Sequence, residues 1–93
     1  MDKEMEAAVK RFTKNPYWKK YYEEAPSDAC KQYIALQFQN SASVADGEGT
    51  LNLKDEFKKC EDQFTLEDWK HMEKYAGNTP FRSKCRSKIK ELE

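Results

Sequence analysis

The chain has 93 residues, of which 38% are apolar, and its 17 basic and 17 acidic side chains cancel. This length indicates a single domain, and no apolar run approaches the roughly 20 residues that cross a bilayer. Zero net charge is atypical of a protein that binds DNA by charge alone, and the polar start lacks the apolar core of a signal peptide. We therefore expect a cytoplasmic domain without a membrane partner.

Apolar residues recur at helical spacing from the start of the chain and predict a first helix over roughly residues 2–13. Asn15 is a preferred N-cap residue, and Pro16 fits the first position of a helix. Together they predict a short second helix over residues 17–24, which Pro26 ends because proline cannot continue a helix.

The middle of the chain predicts two further helices on either side of a polar loop. Ser27 is expected to cap the third helix, which should end in the small polar run at residues 40–43. Asn52 is expected to cap the fourth helix, with Asp55 in its first turn.

The last third of the chain predicts two more helices. Thr65 with Asp68 three residues later approximates a capping box at the start of the fifth helix. Residues 77–78 indicate its end, and residues 79–80 indicate the N-cap and first position of the last helix. Since no period-two alternation appears, five or six short helices predict an all-α fold, a compact, bundle-like single domain over residues 1–93.

The loop over residues 44–55 alternates acidic residues with glycines. When Gly49 is placed at the turn of a calcium-binding loop, oxygen-bearing side chains fall at several of the ligand positions. These side chains are Asp46, Glu48, Asn52 and Asp55. This stretch resembles the EF-hand family, which implies a weak divalent-cation site, but Val44 stands where that loop needs its first carboxylate. A solvated surface loop is the alternative, and the one we favour.

The three cysteines lie far apart in the sequence, each on the apolar face of a predicted helix. They are Cys30, Cys60 and Cys85. An odd number at wide spacing is atypical of a disulfide framework or a structural zinc site, so we expect reduced core residues. The single histidine, His71, lies off the apolar face of its helix and is expected at the surface. Since no nucleophile, base and oxyanion donor can be named together, we expect neither an enzyme nor a cofactor.

Residues 11–22 interleave four basic side chains with five aromatic ones. A helix places four of these rings on one side, and the last helix adds arginines. The candidate partner-binding residues are Tyr17, Trp18, Tyr21, Tyr22, Arg82 and Arg86. Because aromatic residues are enriched at the energetic centres of interfaces, the segment indicates a protein-docking surface. Contiguous exposure of the four rings would support this interpretation, and burial of all four would exclude it.

The predicted function is a small protein-interaction or adaptor domain with an unidentified protein partner, acting as a monomer or a weak oligomer. Packing of the rings into the core, with the basic residues as a solvated rim, explains the same pattern. A further alternative, which we do not favour, is a nucleic-acid-binding protein that uses segments 11–22 and 80–90, its rings stacking on bases. Such binding weakens steeply as salt rises.

Overall fold

The computed structural model describes residues 3–93, which form six α-helices. Their bounds are α1 Lys3–Phe12, α2 Pro16–Glu23, α3 Asp28–Ala45, α4 Lys54–Glu61, α5 Leu66–Tyr75 and α6 Thr79–Leu92. No strand occurs in this part of the chain, and the predicted all-α fold is confirmed. The predicted beginning of the first helix at residue 2 lies outside the described residues. None of these six helices is both long and apolar enough to cross a membrane.

Three of the predicted helix starts are confirmed in detail. The Asn15 side chain accepts the Tyr17 backbone N–H at 2.9 Å, ahead of the proline at the start of α2. Ser27 caps α3 by accepting the Cys30 N–H at 3.2 Å. Thr65 begins α5 with a complete capping box, in which an aspartate takes the usual place of glutamate or glutamine.

Helix α3 extends to Ala45, so the prediction that it ends at residues 40–43 is wrong. Serine and asparagine disfavour a helix when their side chains bind the nearby backbone. Here those side chains bind the loop that follows instead. Ser43 Oγ donates to the Gly49 carbonyl at 2.8 Å, and Asn40 Oδ1 accepts a backbone N–H from the same loop at 2.9 Å.

Helix α3 ends in a Schellman motif. The Glu48 N–H donates to the Ser43 carbonyl at 2.9 Å, and the Gly47 N–H donates to the Val44 carbonyl at 3.1 Å. Gly47 has a φ of 80°, which a residue with a Cβ rarely adopts. The first glycine of the acidic loop therefore serves to end a helix.

The starts of α4 and α6 differ from the prediction by one residue each. Leu53, not Asn52, is the N-cap of α4, and its side chain makes no capping hydrogen bond. Asn78, not Thr79, caps α6, because its side-chain oxygen accepts the Phe81 N–H at 2.9 Å.

Helix α3 lies at the centre of the fold, packed against α1, α2 and α4, while α5 packs with α6. It is enclosed because apolar residues occupy much of its circumference. Its buried residues are Cys30, Tyr33, Ile34, Ala35, Leu36, Phe38 and Ser43. The α5–α6 pair meets α3 in the core, where Cys30 Sγ lies 3.7 Å from Met72 Sδ. All three cysteines are buried free thiols, as predicted.

Candidate functional site

The four predicted docking rings divide between core and surface. Tyr21 has 4% of its surface exposed, and its hydroxyl donates to Gln37 Oε1. Tyr17 is 49% exposed, whereas Trp18 and Tyr22 are half-buried. The rings are thus neither contiguously exposed nor all buried. Tyr21 belongs to the core, and the other three remain candidates for contact with a partner.

Trp18 lines a cleft of about 410 Å³ that opens between α1–α2, α3 and the turn from α5 to α6. Most of its walls are aromatic. The rings are Phe12, Trp18, Tyr21, Tyr33, Phe38, Phe57, Tyr75 and Phe81. The other lining residues are Gln37, Asn40, Ser41, Ala76, Gly77 and Asn78. No charged side chain of residues 3–93 lines the cleft, so its interior offers apolar surface with a few amide and hydroxyl groups.

Contacts between rings hold the walls of the cleft in place. Phe12 stacks on Phe38 with ring centroids 5.0 Å apart, and Trp18 meets Phe38 edge-on at 6.2 Å. Tyr17, which does not itself line the cleft, meets the wall residue Tyr75 edge-on at 5.2 Å and so joins the start of α2 to the end of α5. Because each ring is supported by another, the cleft is formed before anything enters it.

Two amide side chains in the cleft have free hydrogen-bond donors. The oxygen of Gln37 accepts from the Tyr21 hydroxyl, and the oxygen of Asn40 accepts from the Leu51 N–H. Within residues 3–93 the NH₂ groups of both amides make no hydrogen bond. In this part of the chain every fully buried side-chain nitrogen or oxygen has a hydrogen-bond partner, so these two NH₂ groups are not fully buried. Each NH₂ group therefore faces solvent and can donate to a carbonyl or carboxylate.

Two tyrosines of the cleft are neutral at physiological pH. Burial raises the pKa of both Tyr21 and Tyr33 well above the ordinary value of 10.0, because removal from water disfavours the phenolate. The walls therefore carry no charge of their own.

The two predicted arginines lie in different environments. Arg82 donates to the Ala76 carbonyl at 2.9 Å and so fixes the turn that forms one wall of the cleft. Arg86 lies one turn further along α6 and pairs with Glu73 at 3.4 Å. Only the first of these two residues contacts the cleft wall.

The acidic loop does not bring its predicted ligands into a metal-binding cluster. The Asp46 carboxylate binds the Arg11 guanidinium at 3.1 and 3.2 Å, and Asp55 lies in the first turn of α4. Residues 3–93 contain no group of three or more His, Cys, Asp or Glu side chains arranged to hold a metal ion. The weak cation site at Asp46, Glu48, Asn52 and Asp55 stays a prediction.

His71 is half-buried, not at the surface as the sequence suggested. Its Nε2 lies 2.7 Å from the Tyr21 carbonyl oxygen, and the two rings stack with centroids 5.7 Å apart. That carbonyl belongs to the last turn of α2, where helical partners are missing. The imidazole N–H therefore supplies the missing donor and joins α5 to the end of α2.

The sequence did not reveal most of the cleft, because its walls come from all six helices. Helical spacing marks Phe38, Phe57 and Phe81 as apolar, but that spacing does not distinguish a core residue from one that lines an opening.

Comparison of the chain with known protein families, curated proteins and solved structures gives no match.

Proposed function

We propose that the chain is a non-enzymatic protein-interaction module that binds an apolar side chain of a partner protein in the aromatic cleft. The observation that carries this proposal is the preformed cleft of about 410 Å³ with ring-lined walls, one of whose residues, Tyr75, is in contact with the half-exposed Tyr17. Its volume falls within the roughly 300–1,000 Å³ of typical ligand sites.

The chemistry of the walls supports a peptide ligand. Burial of apolar surface contributes about 25 cal/mol per Å², and rings that already support one another lose little freedom when a ligand binds. The NH₂ groups of Gln37 and Asn40 are suited to the carbonyl groups that every peptide backbone carries.

Single-stranded nucleic acid is the second candidate, because Trp18 from segment 11–22 and Phe81 from segment 80–90 border the same cleft. Base stacking needs open ring faces. In the cleft the face of Phe12 already covers Phe38. This stacking between wall residues favours the peptide.

The test uses a variant that fills the cleft. Ser41 is exposed on α3 and lines the cleft, and Ser87 is exposed on α6 away from it. Random peptides displayed on phage are selected against the whole chain and then tested on Ser41→Tyr and Ser87→Tyr. We expect selected peptides to bind the wild-type chain and Ser87→Tyr, and to lose at least tenfold in affinity for Ser41→Tyr.

Absence of any selected peptide, or equal binding to both variants, would overturn the proposal. Labelled oligothymidylate provides the competing readout. If it binds, weakens steeply with salt and is blocked by Ser41→Tyr, the nucleic-acid candidate replaces the peptide one.

A further inference from the structure

Two of the chain segments that line the cleft carry positive charge only. Residues 10–20, which include Trp18, contain five basic and no acidic side chains. Residues 74–90, which include Tyr75 and Phe81, contain six basic and no acidic side chains. A chain with zero net charge therefore concentrates basic residues in two of the segments that border its apolar cleft.

Contacts place two of these basic groups beside residues of the cleft wall. Lys74 Nζ lies 5.5 Å from the centroid of the Tyr75 ring, and one terminal nitrogen of Arg82 lies 2.9 Å from the Ala76 carbonyl. Both Tyr75 and Ala76 line the cleft.

These two groups are not neutralised within residues 3–93. Arg11, Lys84 and Arg86 each pair with a carboxylate, whereas Lys74 and Arg82 pair with none in that part of the chain. Arg82 uses one nitrogen for the turn, so the remaining N–H groups of its guanidinium can bind a carboxylate.

We infer that the segment bound in the cleft is acidic, with an apolar anchor flanked by Asp or Glu. This inference rests on the proposed function and adds the chemistry of the partner. The anchor enters the ring-lined interior, while a flanking carboxylate accepts hydrogen bonds from Arg82 and from the free NH₂ group of Asn40 or Gln37. Charges at a rim mainly raise the association rate, and salt screens them.

The test uses three fluorescein-labelled peptides with the same central Leu-Phe pair, flanked by Glu, by Ser or by Lys. Fluorescence anisotropy with the whole chain measures their affinities at low and at physiological salt. We expect the Glu-flanked peptide to bind roughly tenfold more tightly than the Ser-flanked one at low salt, a difference of about 1.4 kcal/mol, with a smaller ratio at higher salt. The Lys-flanked peptide should bind most weakly.

Charge reversal identifies the groups responsible. Lys74 and Lys90 are exposed basic residues in the last turns of α5 and α6, and Lys90 lies about 13 Å along α6 from Phe81 by helical rise. Lys74→Glu should weaken the Glu-flanked peptide several-fold and leave the Ser-flanked one unchanged, and Lys90→Glu should change neither.

Equal affinity for the Glu- and Ser-flanked peptides at both salts would overturn the acidic segment while the peptide-binding cleft stands. Binding by none of the three would also overturn it, and the phage selection then decides the proposed function independently. Tighter binding of oligothymidylate than of the Glu-flanked peptide, lost in Lys74→Glu, would assign the basic rim to nucleic acid and overturn the inference.

Discussion

The Ser27 hydroxyl donates to the fully buried carboxylate of Asp68 at 2.8 Å while it accepts the Cys30 N–H. The other oxygen of that carboxylate accepts the Thr65 N–H at 2.8 Å and lies 3.1 Å from its hydroxyl. One carboxylate therefore connects the N-caps of α3 and α5. Hydrogen bonds therefore hold the N-terminus of α3 beside the N-terminus of α5, in addition to apolar packing.

Replacement of Asp68 by alanine should destabilise the fold by about 2–4 kcal/mol. The substitution removes the Asp68 half of the capping box and leaves the Thr65 N–H and two hydroxyls without their acceptor, and each buried donor left unpaired costs about 1–3 kcal/mol. Urea unfolding of Asp68→Ala and of the exposed control Asp62→Ala measures the difference, and the control should change stability by less than about 0.5 kcal/mol. Equal effects of the two substitutions would contradict this account.

Because the aromatic residues divide between core and surface, replacing them with alanine should lower the free energy of unfolding by unequal amounts. Tyr21→Ala should destabilise the fold by about 3–5 kcal/mol, because it leaves a cavity among buried rings. Tyr17→Ala should cost less than about 1 kcal/mol, close to Leu92→Ala, because these two side chains are 49% and 50% exposed. Similar unfolding midpoints for Tyr17→Ala and Tyr21→Ala would refute the assignment.

The three thiols should be almost inert in the folded protein. Burial raises the pKa of Cys30 from 9.0 to about 12 and that of Cys85 to about 11, and it also raises the pKa of Cys60. Since the thiolate is the reactive form, a disulfide reagent at about pH 8 should modify the native chain slowly and all three thiols rapidly in urea. Rapid modification of one thiol in the native chain would show that its helix opens readily.

The same raised values predict a loss of stability in alkali. The unfolded chain releases its thiol protons near pH 9.0, whereas folded Cys30 retains its proton up to a pKa of about 12. The contribution of these thiols to the free energy of unfolding is therefore fully present below about pH 9. Above that pH the free energy of unfolding falls by up to about 1.4 kcal/mol per pH unit for each such thiol. Urea unfolding at about pH 8 and pH 10 measures the fall, and Cys85→Ala should show a shallower one.

The acidic loop should not respond to calcium. The Asp46 carboxylate is already bound to Arg11, and residues 3–93 contain no ligand cluster. A titration followed by backbone amide NMR should give no saturable shifts up to several millimolar. Shifts confined to residues 44–57 and lost in Asp46→Ala would establish the site after all.

The parts of the fold that the sequence predicted correctly depend on short-range contacts. The caps at Asn15, Ser27 and Thr65 each need only a side chain and a backbone N–H two or three residues away, so composition and spacing suffice. The end of α3 was missed because Asn40 and Ser43 discourage a helix by propensity. Their hydrogen-bond partners lie in the loop that follows, and helix propensity takes no account of contacts with that loop.

The cleft was missed for a different reason. Its wall residue Tyr75 is supported by contact with Tyr17, and these two residues belong to the fifth and second helices. That contact follows from how the helices cross, and helical spacing fixes the buried face of a helix but not its angle to its neighbours. The basic segments were visible in the sequence, but their position on either side of an apolar opening was not.

The positions of the two tryptophans give the protein two separate optical reporters. Trp18 lies half-buried in the wall of the cleft, whereas Trp69 is enclosed in the core. A ligand bound in the cleft changes the surroundings of the Trp18 indole and does not change those of Trp69. Unfolding exposes both indoles to water. In Trp69→Phe, intrinsic emission should therefore follow occupancy of the cleft without any attached dye, and in Trp18→Phe it should follow unfolding alone.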